Sequence, residues 1–110
     1  MQIPKHFTLH GHLWTVEISR TLKDEESAFG EMLYYQKKII IYDPQNHTYA
    51  HSFIEQVFFH ELVHAIQTAL SWEADTDTTD DTQVDLFGEL WHQYEATKTG
   101  NVYKNNGSRR

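Results

Sequence analysis

Hydrophobic and polar residues alternate over Phe7, Leu9, Leu13 and Thr15, and Gly11 interrupts the alternation. A period of two puts successive side chains on opposite faces of a strand, so Phe7 to Ile18 predicts two short strands joined near His10-Gly11-His12. Ser27 to Tyr35 and Lys38 to Tyr42, rich in aromatic and β-branched residues, predict a further strand pair. Asp43-Pro44-Gln45-Asn46 carries the turn residues that end this region. The first half of the chain therefore reads as a small antiparallel sheet of roughly three to four strands.

From residue 52 the period changes. Ser52-Phe53-Ile54-Glu55 has the form of a capping box, in which the serine caps backbone N–H groups and the glutamate reaches back. It predicts a helix running to about Leu70, with Phe59, Leu62, Ile66, Ala69 and Leu70 as its apolar stripe. Ser71 to Thr82 is acidic and polar and suits a linker plus the first turn of another helix, whose dipole the acids complement. From about Thr79 to Thr97, Val84, Phe87, Leu90, Trp91 and Tyr94 recur at helical spacing. The expected architecture is α+β, with the sheet packed on two main helices as one domain over residues 1–103, and 104–110 as a flexible C-terminal tail.

The first helix carries chemistry. His60-Glu61-Leu62-Val63-His64 has the form H-E-x-x-H, and residues four apart sit one turn above each other. His60 and His64 can therefore direct imidazole nitrogens at one zinc ion, with Glu61 about 100° round the helix beside it. There the carboxylate suits a general base for water whose pKa the metal lowers to roughly 7. A shuffled chain of this composition carries the pattern with a probability of roughly 0.05, so the helical context has to support it.

Composition narrows the setting. At 110 residues the chain has the size of one small domain, and the absence of cysteine excludes disulfides and thiolate-ligated zinc, leaving histidine and carboxylate as ligands. Met1-Gln2-Ile3-Pro4-Lys5-His6 lacks the apolar core of a signal peptide, and no apolar run reaches the length of a membrane span. A cytoplasmic protein without a membrane partner is the expectation. A net charge of −7 argues against nucleic acid as a partner, and against a zinc hydrolase acting on it.

A catalytic zinc needs a third protein ligand and an open position. Asp81-Thr82-Gln83-Val84-Asp85 places two carboxylates four apart on one face of the second helix, and Glu89 continues that face. All three are candidates for the third ligand, and all three equally fit a solvated helix face or, for Asp81, a charge at the helix N-terminus. His92, Tyr94 and Tyr103 are candidates to approach the site, the tyrosines as stabilisers of an oxyanion. The remaining histidines, His6, His10, His12, His47 and His51, fit surface or sheet positions.

An H-E-x-x-H helix followed by a helix with two carboxylates four apart resembles the gluzincin arrangement of thermolysin-like peptidases, with Asp81 where those have glutamate. Asp81-Thr82-Gln83-Val84-Asp85-Leu86-Phe87-Gly88 is similar to the second-helix motif of small phage-type metallopeptidases related to the ImmA/IrrE family. Ile3-Pro4-Lys5-His6-Phe7, the hairpin at Gly11, Phe29-Gly30-Glu31 and Lys38-Ile39-Ile40-Ile41 extend the resemblance over most of residues 2 to 97. It implies a minimal zincin-like domain with Zn2+ held by His60, His64 and Asp81. Glu61 is then the general base, and Asp85 orients a ligand imidazole. The implied activity is zinc-dependent hydrolysis of a peptide or protein substrate. The alternative is a non-catalytic, phage-derived interaction module on the same scaffold.

Overall fold

The computed structural model describes residues 3–20, 29–43, 50–73 and 80–102, apart from the side chains of 72–73 and 80–84. Strands β1 (His6–Leu9), β2 (His12–Ser19), β3 (Gly30–Leu33) and β4 (Lys38–Tyr42) precede helices α1 (His51–Thr68) and α2 (Asp80–Thr97). The fold is α+β.

β1 and β2 join through His10-Gly11, both at positive φ (51° and 81°), as a two-residue hairpin twisted to suit the strands requires. The sheet order is β1-β2-β4-β3, antiparallel at β1/β2 and β4/β3 but parallel at β2/β4. An entirely antiparallel sheet was the expectation. After Ser19 the chain passes one strand position and enters at the edge as β3, and the turn at residues 34–37 then returns β4 into the gap. Ion pairing of Arg20 to Asp43 (3.4 Å) ties the ends of the parallel pair together.

Alternation does its work in this sheet. Phe7, Leu9, Trp14, Val16, Ile39 and Ile41 point inward and are buried, whereas Leu13 and Glu17 are exposed on the other face. α1 covers β3 and β4, and α2 covers β1. Phe58 and Leu62 of α1 and Leu90 and Tyr94 of α2 complete the core.

α1 contains neither glycine nor proline. Its N-cap is Ala50, whose carbonyl accepts from the N–H groups of Phe53 and Ile54. Ser52 thus lies inside the first turn rather than capping it, which corrects the capping-box reading. After Thr68 the helix widens into a π turn, Ala69–Glu73. Residues 74–79, part of the expected acidic linker, lie outside the described residues. Beyond α2 the chain returns to the sheet: Lys5 N–H donates to Thr99 O (2.8 Å) and Thr99 N–H to His6 O (2.9 Å), so residue 99 covers the outer edge of β1. No helix among the described residues is long and apolar enough to cross a membrane.

Candidate metal centre

Two rings meet on the solvent side of α1. His60 and His64, both exposed, bring their Nε2 atoms to 3.2 Å, with ring centroids 4.7 Å apart and planes at 80°. Two nitrogens each about 2.0–2.1 Å from one tetrahedral zinc stand roughly 3.3 Å apart, so the pair fits two ligands of a common ion. The helical spacing produces this convergence, because residue 64 lies one turn above residue 60.

Glu61 turns the other way, toward the sheet, and is only 9% exposed. Burial pushes its carboxyl above the ordinary carboxylate range; the nearby His60 and His64 act against that shift, and Glu31 adds to it. Glu31 is itself held by Tyr42, whose hydroxyl donates to Glu31 Oε1 at 2.7 Å. That bond, with burial and the charges of Glu31 and Glu17, raises the Tyr42 phenol to about 12.

Beside the pair the surface is hollowed on two sides. A cleft of about 470 Å³ is walled by Phe29, Gly30, Phe53, Val57, His60 and Glu61, with Phe29 and Phe53 in edge-to-face contact at 5.0 Å. A second, of about 400 Å³, runs along Gln56, Phe59, His60, Val63 and His64. His60 lies on both, so groups bound in either would flank the histidines.

The third ligand is less simply placed. Asp85 and Glu89 are exposed on α2, and among the described residues no three His, Asp or Glu side chains gather as a ligand set. The packing of α2 explains this. Trp91 stacks on Phe59 of α1 and on Phe87, so those aromatic residues mark the side facing α1. Asp85 and Glu89 each lie two residues from Phe87 or Trp91, about 200° round the helix, and so point away from the histidines. Asp81 is in the first turn of α2, and its side chain lies outside the described residues.

Among the other candidates, His92 is exposed on α2. Tyr94 is buried among Phe7, Phe58 and Trp91, and burial pushes its phenol well above the ordinary range. It is a core residue, not an oxyanion donor, and its helical spacing with Leu90 and Trp91 reflects that role. Tyr103 and His47 lie outside the described residues. Gly30 opens β3 beside the first cleft, and a glycine in a strand signals close backbone approach.

No family model, curated protein or solved structure matches this chain.

Proposed function

We propose that the protein is a zinc-dependent metallopeptidase. The observation that carries this reading is the convergence of His60 and His64 Nε2 at 3.2 Å with the buried carboxyl of Glu61 one residue away. Zinc, when bound, supplies Lewis acidity that polarises a carbonyl and acidifies water. Glu61 takes the proton of the attacking water and returns it to the leaving amine, a task suited to a carboxylate whose proton affinity burial has raised. His60 and His64 would hold the metal through their converging Nε2 atoms. Asp81, the third ligand that the resemblance implies, stands four residues before Asp85, on the face of α2 turned from the histidines, so the proposal is carried by His60, His64 and Glu61.

The substrate in this reading is a peptide in extended form. β3 is the last strand of the sheet and packs on α1 beside Glu61, where an added strand would lie next to the site. The apolar walls of the two hollows favour uncharged side chains, and the net charge of −7 disfavours acidic ones.

A second reading, a non-catalytic interaction module on the same scaffold, is favoured by the lack of a gathered third ligand among the described residues. Metal content separates the two. After gel filtration with added zinc, elemental mass spectrometry is expected to find about one zinc per chain, the stoichiometry of a single catalytic site. His60→Ala and His64→Ala are each expected to weaken zinc binding by at least about 100-fold, since even groups behind the ligands are worth up to that much. Wild-type protein that retains no zinc would leave the interaction module as the better account.

A further inference from the structure

Gly30 stands where β3 presses on α1. A Cβ built on it would lie 2.7 Å from Val57 Cγ1, 3.1 Å from Glu61 Cγ and 3.4 Å from Glu61 Oε2. The first separation is shorter than real Cβ atoms show, so a side chain here forces Val57, Glu61 or the strand to move. Conformation does not call for the glycine: the positive-φ glycines are Gly11 and Gly100, and Gly30 is not among them. It pairs in regular antiparallel register with the fully buried Ile41. A glycine in a strand loses side-chain packing and costs chain entropy. At this position clearance for α1 is what it provides.

The group given that clearance is Glu61. Its side chain crosses the bare Cα of Gly30 on the way from the helix to the cleft that His60 also lines. We propose that Gly30 is a positioning residue: the missing side chain forms the seat that holds the Glu61 carboxylate beside the histidine pair. The inference rests on the reading of Glu61 as the base, and it adds a determinant on the sheet, outside the H-E-x-x-H segment.

Two contacts compete to explain the glycine, Val57 and Glu61, and they can be separated by substitution. Gly30→Ala is expected to lower the melting temperature and the rate of hydrolysis of fluorescein-labelled casein together. Val57→Ala removes the 2.7 Å contact. In Gly30→Ala/Val57→Ala the melting temperature should recover most of the way to that of Val57→Ala, because the one separation below 3.0 Å is gone. The contact with Glu61 persists, so hydrolysis should stay at least about tenfold below Val57→Ala, the scale of a displaced reacting group. Zinc affinity should agree across the set within about twofold, since a Cβ on Gly30 meets Val57 and Glu61 and neither histidine. A double variant as active as Val57→Ala would overturn the proposal and leave Gly30 a packing residue.

If the wild type cleaves no casein, the reading of Glu61 as base fails on its own. The seat is then read without turnover, from the carboxyl carbon resonance of Glu61 in metal-free protein. A signal shifted between Val57→Ala and the double variant supports the seat, and an unmoved signal overturns it.

Discussion

Glu61→Gln is expected to lower peptide hydrolysis by about 10²–10⁴-fold, the range for losing a positioned general base, while zinc content stays unchanged. Glutamine has nearly the shape of glutamate, so it should fit the clearance over Gly30 without disturbing β3. It cannot accept the proton. Initial rates on labelled casein, measured alongside metal analysis, give both quantities, and a zinc-loaded variant with full activity would sink the mechanism. The same substitution should stabilise the metal-free protein near neutral pH. The sign follows from the direction of the shift. Burial raises the Glu61 carboxyl in the folded state, so that state binds the proton more tightly than the unfolded chain does. Stability from this group is therefore lost as pH rises from the ordinary carboxylate value through the raised one. Glutamine removes that loss. Thermal melts in EDTA should show a gap in favour of the variant that is wider at about pH 7 than at about pH 4.

The parts of this picture that were readable in the chain are those governed by local spacing. His60 and His64 converge because four residues make one helical turn, and His10-Gly11 turns the first hairpin because both residues accept positive φ. Alternation likewise marked Phe7 and Leu9, which are buried, but continued it through Leu13 and Thr15, whereas β2 turns Trp14 and Val16 inward. What escaped depends on contacts between distant segments. Nothing near Val16 or Ile39 announces that β2 and β4 pair in parallel; that follows from where the chain re-enters the sheet as β3. Thr99 contains no strand signal of its own, yet it pairs with His6. The carboxylates at 85 and 89 were correctly read as sharing a face with one another, but which face meets α1 is decided by Trp91 stacking on Phe59. Gly30 was visible as a residue, and its meaning came only from Glu61 lying above it.

Phe58→Ala is expected to cost about 3–5 kcal/mol of stability, as for other buried phenylalanines truncated to alanine. Phe58 is fully buried two residues before His60, and its ring meets Phe7 of β1 at 6.4 Å, Tyr94 of α2 at 6.2 Å and its neighbour Phe59 at 5.2 Å. One side chain thus ties the metal-site helix to the sheet and to the second helix. Removing it leaves Phe7 and Tyr94 facing a void that the surrounding backbone, fixed by sheet hydrogen bonds, cannot close. A domain of this size has roughly 5–15 kcal/mol in all, so the loss should move the melting temperature down by roughly 15–25 °C. Urea titration should show a lower midpoint with an unchanged slope, since the folded and unfolded surfaces are otherwise the same. Leu13→Ala is the control: Leu13 is 63% exposed, and its removal should stay within about 0.5 kcal/mol. Equal costs at the two positions would mean that α1 is not anchored through Phe58. In that case the geometry of His60 and Glu61 would have to be held from another point, with Val57 against Gly30 the next contact to test.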